Sequence, residues 1–140
     1  MTRKPLFWIG AALAAAASAF AAPGNAHHAF AAEFDSSKPV VLDGTVTTVK
    51  FVNPHSWIYV DVKDKDGTTT NWGFEFGTPS SLRTAGIDRN AVAYGAHVRI
   101  AGYRAKNGGP YGHAVTVVLP DGRKVTTGNA PDVPNAQLIR

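Results

Sequence analysis

The stretch Gly44–Val62, GTVTTVKFVNPHSWIYVDV, limits what this chain can fold into more than any other. It reads as two strands joined at Asn53-Pro54-His55. Val46, Val49 and Phe51 mark the apolar face of the first, and Ile58, Val60 and Val62 that of the second. Proline has no N–H to give a ladder, so the chain must turn or bulge at Pro54. His55 is thereby expected at a strand edge. The apolar phase of the first strand slips, because Val46 is even while Val49 and Phe51 are odd. A pleat repeats every two residues, so one extra residue is expected near Thr47-Thr48. A bulge there lets a strand curl around a small barrel.

Three further apolar runs follow. Thr69–Phe76 alternates, with Trp72, Phe74 and Phe76 on one face and Asn71, Gly73 and Glu75 on the other. Ala96–Tyr103 carries Val98 and Ile100 inward, and Gly112–Leu119 has Val115, Val117 and Leu119 in phase. Between the third and fourth strands, Thr78 and Pro79 open a short helix that Gly86 stops. Five strands with one short helix between strands 3 and 4 predict an all-β fold, a small five-stranded OB-fold-like barrel. The expected core is Val46, Phe51, Ile58, Val60, Trp72, Phe74, Val98, Ile100, Val115 and Val117.

The chain of 140 residues allows one domain. Its start reads as a secretory signal peptide. Arg3 and Lys4 precede the apolar run Leu6–Ala17, and small-residue cleavage sites follow at Ala19-Phe20-Ala21 and Gly24-Asn25-Ala26. The expected organisation is a signal peptide over 1–26, cut between 21 and 26, a barrel domain over 27–126 and a flexible tail over 127–140. A retained anchor is the alternative, but Pro23, Gly24, Asn25 and two histidines interrupt the uncharged stretch. The protein is therefore expected to be periplasmic or secreted, with no stable membrane insertion after cleavage.

Taking Arg3 and Lys4 from the 14 Lys and Arg leaves 12 against 10 Asp and Glu, so the net charge falls from +4 to +2. That balance gives no electrostatic case for nucleic acid. Without cysteine, thiol nucleophiles, thiolate zinc sites and cysteine-held iron–sulfur clusters are excluded. No nucleophile–base spacing and no glycine-rich phosphate loop is present, so the chain reads as a non-enzymatic binding module. Asp64-Lys65-Asp66-Gly67 lacks the acidic spacing of a calcium loop and reads as a hairpin.

Three motifs carry a resemblance. His27-His28-Ala29-Phe30-Ala31-Ala32-Glu33-Phe34-Asp35, Val52-Asn53-Pro54-His55 and Leu119-Pro120-Asp121-Gly122-Arg123-Lys124 together resemble a family of small exported bacterial proteins of unknown function. The sequence departs from that pattern at Ala29, where serine is more frequent, and at Phe51, where tryptophan is usual. The resemblance implies export and an OB-like domain, and it implies no activity.

Histidines carry the chemistry. Cleavage after Ala26 makes His27 the first residue, so its α-amine and imidazole chelate one ion together. Nitrogen ligation in a plane suits Cu(II). His55 is the expected third ligand and His28 a fourth, with Glu33 or Asp35 orienting a ring. A cut after Gly24 leaves Asn25-Ala26-His27, a peptide-like Cu(II) or Ni(II) binder, and a cut after Ala21 removes both arrangements. The plainer alternative is a loose terminus at His27 and His28, with His55 capping a turn. His97 is out of phase with Val98 and is expected to be exposed. His113 reads as a near-core histidine, and neither of these two is read as a ligand. Trp57, Tyr59 and Asn71 form the second candidate, a face on strands 2 and 3 for an unknown protein or small ligand. Its alternative is packing of the two aromatics under the N-terminal segment or the helix.

Overall fold

The computed structural model describes residues 30–127. One helical turn, α1 (Phe30–Glu33), leads into β1 (Phe34–Lys50), β2 (Trp57–Lys63) and β3 (Thr69–Glu75). A short helix α2 (Pro79–Thr84) follows, then β4 (His97–Ala105), β5 (Tyr111–Val118) and β6 (Lys124–Thr126). The sheet runs β3-β2-β1-β4-β5-β6, and β3 also pairs with β5. That last pairing is parallel and closes β1 to β5 into a ring. The protein is thus mostly β and barrel-like, with the helix between β3 and β4 as the sequence predicts. Among the described residues, no helix is long and apolar enough to cross a membrane.

Local chemistry explains the parts. Val46 faces Val60 and Thr48 faces Tyr59, so Thr47 is the extra residue of a bulge. Thr78 caps α2 by accepting from the Ser81 N–H at 3.2 Å, Pro79 opens the helix, and Gly86 ends it at φ +85°.

β1 begins at Phe34, well ahead of the Gly44–Val62 stretch in which the sequence predicts its first strand. Its first half, from Phe34, pairs with β4, and its second half pairs with β2. Pro39 is tolerated there because that half of β1 has a strand on one side only. The sheet also gains β6, where Val125 pairs with Val117. Thr127, the first residue of the expected tail, is buried and donates its hydroxyl to the Ala114 carbonyl at 2.8 Å.

The main core holds Val46, Ile58, Val60, Trp72, Phe74, Val98, Ile100 and Val117, with Leu82 and Ile87 closing one end. Two expectations change. Phe51 is only half-buried, packed at the edge of this core with the Arg89 guanidinium 5.4 Å from its ring. Val115 is buried, but in a second cluster with Phe30, Phe34, Tyr103 and Ala105. The cause is a second bulge. Ala101 faces Thr116 while Gly102 faces Ala114, so Val115 is the unpaired residue and turns to the other side of the wall.

Candidate functional site

The site begins with the ring closure. The parallel β3–β5 pairing sets Glu75 beside His113, and the antiparallel β2–β3 pairing sets Glu75 opposite Trp57. Ser56 continues that ladder past the end of β2. Its N–H donates to the Gly77 carbonyl at 3.0 Å, and its own carbonyl accepts from the Phe76 N–H at 2.8 Å. His55, one residue earlier, is thereby held against the end of β3. The loop containing it has a cis Asn53–Pro54 peptide bond.

Glu75 is the centre of the cluster. Its Oε1 lies 2.9 Å from His55 Nδ1 and 3.5 Å from His113 Nδ1. Its side chain is 11% exposed, against 34% for His55 and 7% for His113. A carboxylate at Nδ1 fixes the imidazole and leaves Nε2 for a ligand. His55 has that arrangement. The carboxylate that supplies it to His55 is Glu75, not the Asp35 expected from the sequence. Asp35 is occupied by Ser37 and Lys38, which hold its carboxyl below the usual carboxylate range, the Ser37 hydroxyl contributing most.

His113 is the anomaly. Neither of its ring nitrogens has a hydrogen-bond partner, and the 3.5 Å approach to Glu75 is not aligned as one. Leaving a buried polar group unsatisfied costs about 1–3 kcal/mol. Its other neighbours are apolar. The Phe30 and Phe34 rings sit 5.5 and 5.4 Å from it, and Phe30 meets Tyr103 edge-on at 5.5 Å. Burial in this cluster pushes the Tyr103 phenol above its ordinary pKa. The turn α1 and the start of β1 therefore form a strap over His113.

The aromatic face lies next to it. Trp57 and Tyr59 stack at 6.2 Å on β2, and Tyr111 meets Trp57 edge-on at 6.5 Å. Gly73 lets these rings approach the sheet. A Cβ there would lie 2.9 Å from Tyr111 and 3.0 Å from Tyr59. Trp57, Tyr111, Phe34, Ala105, Lys106 and Asn107 line most of an open groove of about 470 Å³. Trp57 thus faces both the strap and solvent. Asn71 stands apart from the groove lining, and its amide donates to Asp61 at 2.8 Å and to the Thr47 hydroxyl at 3.0 Å.

Of the six residues proposed from sequence, His55 sits in the histidine–carboxylate cluster, Trp57 and Tyr59 stack on each other, and Asn71 belongs to a separate polar group with Asp61 and Thr47. His27 and His28 lie outside the described residues. His97 is exposed, 3.4 Å from the Thr45 hydroxyl. Sequence reasoning passed over Glu75 and His113, whose only signal is a charged and a titratable residue within runs of buried strand. Among the described residues, no group of three His, Cys, Asp or Glu stands ready to hold a metal ion.

A family model matches the chain over residues 13–114, and the family it describes, DUF6152, is one of unknown function. No curated protein and no solved structure matches the chain.

Proposed function

We propose, for a chain that belongs to the DUF6152 family, the role of an exported, non-enzymatic binding module that takes Cu(II) through His27, His28 and His55. Export rests on the basic start, the apolar run and the small-residue cleavage sites before His27. The observation that carries the metal reading is the contact of His55 Nδ1 with Glu75 at 2.9 Å, which leaves Nε2 as the ligating nitrogen.

With His27 first, its amine and ring form one chelate, and His55 and His28 fill the plane. A flat, nitrogen-rich shell suits Cu(II). The amine must be deprotonated to bind, and its reference pKa is about 7.7–8.0. Affinity should therefore fall as pH drops below neutral. The test is copper titration of the chain beginning at His27. His55→Ala should weaken binding, as should one extra residue ahead of His27, while His97→Ala should not. Copper uptake no greater than that of the His27→Ala, His28→Ala double variant would end the reading.

A second reading rests on the groove of about 470 Å³ walled by Trp57, Tyr111 and Phe34. In it the module takes a protein or small ligand without metal at the Trp57 end of the β2–β3 face, with Tyr59 stacked on Trp57 and Asn71 outside the groove lining. Trp57→Ala separates the two, because it should leave copper binding intact and abolish any ligand that stacks in the groove.

A further inference from the structure

We infer that the groove walled by Trp57, Tyr111 and Phe34 receives a small solute bearing a methylated ammonium group. This rests on the second reading above and names the chemistry of its ligand. Trp57 and Tyr111 meet at 84° with centroids 6.5 Å apart, so the two rings stand as perpendicular walls, and Phe34 lines the same groove. Aromatic faces carry negative charge density, and rings set at angles around one space attract a cation. The far end of the stack already does so. The Lys50 ammonium lies 5.2 Å from the centroid of Tyr59, whose ring stacks on Trp57. The Trp57–Tyr111 end is left open, with Tyr111 43% exposed.

Charge near the groove agrees. Glu33 and Lys106 both line it and offset each other, and the Lys106 ammonium donates to the Ala31 carbonyl at 2.5 Å. Glu75 decides the balance. It is opposite Trp57 in the β2–β3 ladder, and residues so paired carry their side chains on one face, with Cβ atoms about 5 Å apart. The lining also decides the kind of cation. A primary ammonium brings three N–H donors, and a wall made largely of Ala32, Phe34, Trp57, Ala105 and Tyr111 offers few acceptors. Such a group would lose its water without replacement. A methylated ammonium spreads its charge over methyl groups and asks for no hydrogen bond, so rings suffice to hold it. The volume of about 470 Å³ is that of a small-molecule cleft, which favours a free solute over a lipid headgroup.

Choline is the probe. The full chain is purified from an exporting host, and near-UV circular dichroism checks that it and each variant are folded. Calorimetric titration gives the affinity, and the Trp57 indole N–H resonance locates the site. A parallel titration uses the neutral carbon analogue of choline, with a tert-butyl group in place of the trimethylammonium. The expected result is saturable choline binding that shifts the Trp57 resonance, and binding of the neutral analogue about tenfold weaker. Trp57→Leu should weaken choline by about tenfold, and Tyr111→Leu carries the same test if the first variant does not fold. Glu75→Gln should weaken choline and leave the neutral analogue unchanged, which a purely structural role for Glu75 would not do. Equal affinity for the two compounds would overturn the inference and leave the groove reading standing. Binding of neither overturns the inference alone, because the groove reading specifies no charge. Binding to phosphatidylcholine vesicles without binding of free choline would overturn the assignment to a free solute.

Discussion

Truncating Phe74 to alanine probes the barrel at its closing seam. Phe74 is fully buried on β3, opposite Ile58 and beside Gly112 of β5. Its ring stacks on Trp72 at 5.9 Å with planes 19° apart. Packing is tight enough that a Cβ on Gly112 would come within 2.8 Å of the ring. Burying a side chain of this size contributes about 1.5–3 kcal/mol. The aromatic pair adds about 0.5–1.5 kcal/mol. The ring is enclosed by rigid strand backbone, so the site collapses little and a cavity cost adds to these. The expected loss is about 3–5 kcal/mol, the range for a buried aromatic cut to alanine. Urea unfolding measures it, read as a shift in midpoint at constant slope. Phe74→Leu should lose less, because it refills part of the space. A loss below about 1 kcal/mol for Phe74→Ala, the scale of surface substitutions, would show that β3 presents its other face inward.

Two further outcomes follow from particular contacts. Gly102→Ala would place a Cβ against the His113 carbonyl at the β4–β5 bulge, where only backbone can yield. The expected cost is about 1–3 kcal/mol by urea unfolding, and a neutral result would mean the bulge lies elsewhere. In the β2–β3 hairpin, the Thr68 hydroxyl and then its N–H donate to Asp66 at 2.6 and 2.9 Å, holding that carboxyl below its usual value of 3.8. A carboxyl depressed in the folded state stabilises above its unfolded pKa, and that contribution is lost as pH falls through the folded value. Thr68→Val should move the Asp66 titration, followed by carboxyl NMR, part of the way back up, and an unchanged midpoint would contradict the hydroxyl's role.

Much of the barrel was legible because its signals are local. The Val46–Val49 slip marks the Thr47 bulge, and Thr78, Pro79 and Gly86 bracket α2 within a few residues. The cluster at Glu75 was not legible. It depends on β3 meeting β5, two strands separated by α2 and β4, and no periodicity reports which strands pair across such a distance. Glu75 therefore read only as part of the polar face of its strand, with Asn71 and Gly73, and His113 as a near-core residue. Val115 misled for a related reason, because a bulge opposite Ala101 and Gly102 leaves no trace in an unbroken apolar run. The length of β1 was hidden by Pro39 and by the polar residues Asp35, Ser36, Ser37 and Lys38, which lie where the β1–β4 register breaks between Phe34 and Pro39. His55 was legible because Pro54 breaks the strand beside it, and its partner Glu75 was the part that only the fold supplies.

The most direct measurement is native mass spectrometry of the protein isolated from the periplasm of a host that exports it. It reads the first residue and the bound metal in one spectrum. The metal reading predicts a chain that begins at His27 and carries one copper ion. A chain that begins at His27 and carries no metal, or one cut after Ala21 that binds none, would contradict it.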